Sequence, residues 1–210
     1  MLNGRGITCC DAYKAFNPLM RLRGTLLKMH VLKLTKYPRL LYLNPIEGVL
    51  ITYKTANKFP HQPNYIMCLN QVTTLEFMLE TKWYFSRGCY YMQIATKDKT
   101  QVFLADNLDV INFWVNQISL AIRFYNWLQA LKNIHYKIRQ AHHHTKCDVD
   151  DFKCSIDAAD TLINKVMTMT LPEVNIDQYS AQMQISANDY AMLKVTEHMA
   201  SIQASSGLNN

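Results

Sequence analysis

The chain predicts an α+β fold, an antiparallel meander of short strands that gives way to a long amphipathic helix and then to further helical segments. Three observations carry this expectation. β-branched and aromatic residues dominate short runs across residues 25–96, each closed by turn-forming residues. The apolar period changes from two to 3.6 at Asn107. Beyond that point neither Gly nor Pro occurs between Leu108 and Thr145.

Taken in order, strands are expected at residues 25–35, 39–43, 49–55, 65–69, 73–77, 83–85 and 89–96, with breaks at Asn44-Pro45, Glu47-Gly48, residues 57–64 and Arg87-Gly88. The run from Leu34 to Pro45 reads as two apolar strand patterns joined by a turn at Pro38. Lys97-Asp98-Lys99 makes a polar turn into a further strand at residues 100–105. After it, Val110, Phe113, Trp114, Ile118, Ala121, Ile122, Tyr125 and Leu128 recur at three- and four-residue steps and define one buried helical stripe. The pattern runs on through Leu131, Ile134 and Ile138, past the point where one small barrel could cover it. Asp148, Asp150 and Asp151 open the next helix, where acidic side chains suit the positive end of the helix dipole. Phe152, Ile156, Ala159, Ile163, Val166 and Met167 share a face there, and Pro172 closes the segment. A last amphipathic helix is expected at residues 186–202 through Tyr190, Val195, Met199 and Ile202.

The chain has 210 residues and 49% hydrophobic content, enough for a substantial core. No run of eighteen apolar residues exists, and the N-terminus lacks the basic and apolar blocks of a secretory signal, so neither a membrane span nor export is expected. Six scattered cysteines are too sparse for a disulfide framework and fit an intracellular protein with free thiols. Charge is uneven. Residues 1–60 hold ten Lys or Arg against Asp11 and Glu47, whereas residues 121–210 hold eight against nine acids. That asymmetry suits an anionic partner.

The pattern Leu32-x-Leu34-Thr35-x-x-Pro38-Arg39-Leu40-x-Tyr42-x-Asn44-Pro45-x-x-x-Val49-Leu50, followed by a helix with Trp114 at its centre, resembles a pleckstrin homology domain. Its wording is similar to the domain attached to phosphoinositide-dependent protein kinases, although members of that family usually carry Asp where this chain has Asn44. The resemblance covers residues 5–130. It implies a seven-stranded antiparallel barrel or sandwich capped by a C-terminal helix, with Trp114 packed across one open end and residues 131–210 as an α-helical extension. No kinase motif accompanies it, because none of the six glycines forms a glycine-rich phosphate loop.

In lipid-binding members, basic residues around the first two strands converge on inositol phosphates, since each phosphate needs several charge-assisted donors. Two registers are open here. If residues 32–35 close the second strand, the first lies near residues 6–14 and the basic opening falls on Lys28-Met29-His30, with Lys14, Arg21 and Arg23 flanking the loop. If residues 24–28 form the first strand, Lys28, Lys36 and Arg39 are the candidates. The candidate lipid-binding set is therefore Arg21, Arg23, Lys28, Lys36 and Arg39, of which Arg21, Arg23, Lys28 and Arg39 are expected to form one positive patch at one end of the barrel in either register.

Other motifs read more blandly. His142-His143-His144 with Cys147 and Cys154 invites zinc, but adjacent histidines on a helix point about 100° apart, so no metal site is expected. Cys9-Cys10 could take palmitate, yet the resemblance buries them in a strand. The aspartates at 148–151 lack the glycine and glutamate of a calcium loop. Trp83, Tyr84, Phe85, Tyr90 and Tyr91 sit in strand patterns, so stacking of nucleic-acid bases is not expected. No set of nucleophile, base and orienting group is apparent, and no cofactor is implied.

The expectation is a non-enzymatic interaction or scaffold protein inside the cell, a structural component of a larger cytoskeletal or ciliary assembly. Its protein partner would be met through Ile134, Ile138, Ile156, Ile163, Met167, Tyr190, Val195 and Met199. The alternative is a cytoplasmic adaptor peripheral to the membrane that reads phosphoinositide head groups through a partial basic motif.

Overall fold

In the computed structural model, residues 16, 19–30, 35–79, 90–145 and 150–178 are described. The expected strands at 6–14 and 83–85, the helix at 186–202, Cys9-Cys10, and the candidate residues Tyr190, Val195 and Met199 lie outside them, as do the side chains of His142, His143, His144 and Phe152. By contact density the chain divides into two compact units, Met1–Val174 and Asn175–Asn210.

Seven strands, β1 (Arg21–His30), β2 (Thr35–Asn44), β3 (Val49–Tyr53), β4 (Tyr65–Cys68), β5 (Val72–Leu79), β6 (Tyr90–Thr96) and β7 (Thr100–Ala105), run in the order β4-β3-β2-β1-β7-β6-β5. All neighbours are antiparallel. The ends of the path, β4 and β5, are not paired, so the sheet folds over as an open sandwich. β1 is its corner: it pairs with β2 from Leu22 to His30 but with β7 only at Leu27, Lys28 and Met29. A long helix, α1 (Leu108–Thr145), follows directly. This is the strand order and capping helix of a pleckstrin homology fold, as the resemblance implied. A second helix, α2 (Asp150–Met167), and a short strand, β8 (Glu173–Asn175), come after it, and β8 pairs with β1.

Register decides which side chains face inward, because alternate residues take opposite faces. On β1 the inward set is Leu22, Gly24, Leu26 and Lys28, opposed on β2 by Leu43, Leu41, Arg39 and Tyr37. Leu50, Thr52 and Met67 on β3 and β4, Met92 and Ile94 on β6, and Gln101 and Phe103 on β7 complete the interior, and all are buried. The outer face is also partly covered. Met29, Tyr91, Val102 and Leu104 form one buried cluster there, and Phe59 packs edge-on to Tyr42 and Tyr53.

The sequence expectation at Pro38 is corrected. Pro38 is inside β2, opposite Leu27, rather than in a turn. Proline is tolerated there because β3 pairs with β2 only from Leu40 onward, leaving the edge beside Pro38 without a ladder that would need its missing N–H. β1 ends at His30 and β2 begins at Thr35, so the strand expected at 25–35 belongs to two elements and the register with residues 24–28 in the first strand is the one adopted.

Asn107 starts α1 by accepting the Asp109 N–H at 2.7 Å, a side-chain cap on the first turn. The buried stripe is Val110, Ile111, Trp114, Ile118, Ala121, Phe124 and Leu128. Relative to the expected stripe it is rotated slightly, bringing in Ile111 and Phe124 and leaving Phe113, Ile122 and Tyr125 half-exposed. α1 packs on β5, β6, β7 and the 3-10 turn Leu69–Gln71. Phe16 rests edge-on against Phe124 at 5.2 Å and beside Trp127.

The far half of α1 finds its own partner, as its apolar pattern required. α2 turns back along it: the Lys132 ammonium sits 3.5 Å from Met167 Sδ, and Asp160 meets both Arg139 at 2.5 Å and buried His135 at 3.2 Å. The His135 contact is an ion pair when the imidazole is protonated rather than an aligned hydrogen bond. Val166 is buried on this helix, while Met167 is 42% exposed and so leaves the face it was expected to share. The chain then returns to β1, where Arg21 N–H donates to the Pro172 carbonyl at 2.9 Å.

Candidate functional site

The five candidate cations fall into two groups. At about 3.3 Å per strand residue, Arg23 and Lys28 are about 16 Å apart along β1, so a single patch does not form. Arg21 and Arg23 point outward at the start of β1. Arg23 lies 3.9 Å from Glu173 and over the Phe59 ring at 5.3 Å, so its charge anchors the returning chain. Lys36 pairs with Met29 and takes the outer face. Lys28 and Arg39 point inward at the other end.

That end is the barrel mouth, at the end of β3 away from the Pro45–Gly48 turn. Lys28, half-buried, donates to Gln101 Oε1 at 2.6 Å and lies over the Phe103 ring at 5.9 Å. Its ammonium is held down to a pKa of about 8, first by burial and then by the positive charges of Lys99 and Arg39. Arg39 donates to the Pro38 carbonyl at 2.9 Å and to the Lys54 carbonyl at 3.5 Å, and its guanidinium lies 4.2 Å over the Tyr37 ring. Lys99, from the β6–β7 turn, lies 4.5 Å over the Tyr65 ring. Three cations, from β1, β2 and the β6–β7 turn, thus converge, and each lies over an aromatic ring.

Two buried polar atoms at this end have no hydrogen-bond partner among the described residues, Gln101 Nε2 and Arg39 Nε, and a third, Thr52 Oγ1, lies deeper, level with Gly24. Beside Arg39, a cavity of about 410 Å³ is lined by Lys54, Lys58, Gln62, Pro63 and Asn64. Chemically, the mouth offers concentrated positive charge with spare donors, which is what a phosphate requires. Among the described residues no group of three or more metal-ligating side chains occurs, and no helix is long and apolar enough to cross a membrane.

Of the residues at this end, sequence reasoning had named Lys28 and Arg39 as candidates but not Lys99, Gln101, Tyr37 or Tyr65. Lys99 read as a polar turn residue. The available signal was parity: Gln101 shares the face of Phe103, and a buried-face glutamine in a strand needs an explanation.

Of the partner-binding candidates, Ile134 is 57% exposed, Ile138, Ile156 and Ile163 are half-buried, and Met167 is exposed. Tyr136, 62% exposed, was not among them. Trp114 is fully buried, the structural place expected for it.

No family model matches the chain, and no curated protein matches it. Among solved structures, the PH domain of human oxysterol binding protein-related protein 11 is similar at 16% identity and a TM-score of 0.41, over 50% of this chain and 82% of that one. The carboxyl-terminal PH domain of pleckstrin is similar at 21% identity and a TM-score of 0.38, over 48% of this chain and 94% of that one. The Slm1 PH domain, solved with inositol-4-phosphate, is similar at 16% identity and a TM-score of 0.37, over 49% of this chain and 96% of that one. Fold assignment here rests on the chain's own strand order, register and capping helix.

Proposed function

We propose that the chain is a non-enzymatic binding module whose barrel mouth takes a phosphorylated head group at a membrane surface. The observation that carries this reading is the convergence of Lys28, Arg39 and Lys99, with Lys28 kept half-buried although that lowers its pKa to about 8. A lysine whose pKa is lowered in the fold destabilises that fold while protonated. Below pH 8 it is charged in both states and only the folded state bears the cost. Between about 8 and 10.5 the unfolded chain binds the extra proton, so this group's contribution to stability improves as pH rises through that window. Retaining such a residue fits a ligand-binding role.

The test is sedimentation of the full chain with phosphatidylcholine vesicles, with and without phosphatidylinositol monophosphate, at low and high salt. Binding is expected to need the phosphorylated lipid and to weaken with salt. Lys28→Met and Arg39→Ala should each reduce it at least about tenfold, the equivalent of one charge-assisted contact of roughly 1.5 to 3 kcal/mol. Lys28→Met should also melt higher than wild type. Equal sedimentation with neutral vesicles would sink the reading.

A second reading, attachment to a protein assembly through the hairpin of α1 and α2, is favoured by exposed Ile134, Tyr136 and Met167. One localisation experiment separates the two. Under the head-group reading, Lys28→Met with Arg39→Ala disperses the protein in cells, whereas under the assembly reading Ile134→Glu with Met167→Glu does so. Truncation before α2 is a poorer test, since it removes buried Val166 and Leu171 and the Glu173 partner of Arg23.

A further inference from the structure

We infer that Gln101 is a ligand-contacting residue of this mouth, its side-chain N–H groups donating to an oxygen of the bound phosphate monoester; the inference rests on the head-group reading above. Gln101 comes from β7, where it pairs with Ile94, and it is 1% exposed. An ammonium has donors only, so the contact at 2.6 Å fixes the amide: Oε1 must face Lys28 Nζ, and Nε2 must point the other way. A flip would set N–H against N–H. The amide nitrogen is left without a partner among the described residues, although a buried polar group normally has one.

It is not alone. Arg39 Nε is without a partner at the same end, so β2 and β7 each present an unmet polar atom near three cations. A water molecule would satisfy single atoms and leave the charge. A carboxylate has two oxygens and one charge. A phosphate monoester brings three acceptor oxygens and a charge of about −1.5 to −2, which matches both the donors and the cations. The depressed affinity of Lys28 for its proton supports the same view, because burial and then the charges of Lys99 and Arg39 lower it, with no offsetting acid among the described residues. Gln101 thereby has two roles through its two ends, orienting the Lys28 ammonium and donating beside it.

The test uses the full-length chain, with phosphatidylinositol monophosphate in phosphatidylcholine vesicles as probe and soluble inositol monophosphate and inorganic phosphate as competitors. Gln101→Met should bind about ten- to a hundredfold more weakly, the loss of a donor to a charged acceptor, while near-ultraviolet circular dichroism stays native. Gln101→Glu should bind more weakly still and should keep Lys28 protonated to higher pH, a readout that a packing role would not move. In wild-type protein the Gln101 side-chain amide resonance should shift on titration with inositol monophosphate, which keeps the question open to measurement if either variant fails to fold. Competition by inositol monophosphate alone would assign the head group, and competition by inorganic phosphate as well would assign the phosphate itself; both support an acceptor at Gln101. Wild-type-like binding by both variants, or an unmoved amide resonance in protein that binds, would overturn the inference while leaving the head-group reading intact. Absence of wild-type binding to every probe would overturn both.

Discussion

Trp114→Ala is expected to destabilise the protein by roughly 3 to 5 kcal/mol, the range for deleting a large aromatic side chain from a packed core. The indole is fully buried, on the stripe of α1 that includes Ile111 and Ile118 and faces the open sandwich. The helix packs there on β5, β6 and β7, and a close-packed interior of this kind relaxes only partly into a space left behind. For a chain of this size the loss corresponds to a melting temperature lower by roughly 6 to 20 °C. Trp114→Phe gives the mechanism. Indole Nε1 has no hydrogen-bond partner among the described residues, so removing the N–H forfeits no bond and the Phe variant should retain most of the stability. A Phe variant as damaged as the Ala variant would mean that the N–H is used after all, and an Ala variant with an unchanged melt would mean that the helix does not cap the barrel.

The strands were legible because each has one face inward, so the residue chemistry alternates with the pleat, and the breaks at Asn44-Pro45 and Glu47-Gly48 coincide with an observed turn. Pro38 was misread for a reason no local pattern contains. Whether a proline ends a strand depends on whether a neighbour needs its N–H, and β3 is simply too short to reach it. The helix was legible by period, but its exact seam depended on where the barrel presents its gap, which brought Phe124 in and left Tyr125 half out.

Legibility was lower for the site. Arg21, Arg23, Lys28, Lys36 and Arg39 are close in sequence, yet a ten-residue strand carries its two ends far apart, and alternation sends Lys36 and Arg39 to opposite faces. Lys99, Gln101 and Tyr65 reach the mouth from later in the chain through the β1–β7 corner and the β3–β4 hairpin. That convergence is a property of topology, and the family resemblance pointed only to the β1–β2 portion of it.

Gly48→Ala is expected to cost roughly 2 to 5 kcal/mol, from two separable sources. Gly48 closes the β2–β3 turn with φ of +68°, its N–H donating to the Pro45 carbonyl at 3.2 Å and its carbonyl accepting from Leu69 N–H at 2.7 Å. A residue with a Cβ pays about 1 to 2 kcal/mol for that backbone conformation. The second source is contact: an ideal Cβ at this position would overlap the ring carbons of Tyr125, so α1 crosses the turn with no room for a methyl group. A rigid ring cannot bend away as a flexible side chain could, and overpacking of this kind costs typically 1 to 3 kcal/mol. The sources separate in a double-mutant cycle. In a Tyr125→Ala background the added penalty of Gly48→Ala should fall to the backbone part alone. An unchanged penalty there would remove the close approach of α1 from the explanation. Because the turn lies at the end of β3 away from Lys28 and Arg39, the folded fraction of Gly48→Ala should bind phosphorylated vesicles as wild type does, so that stability and binding fail independently at the two ends of one barrel.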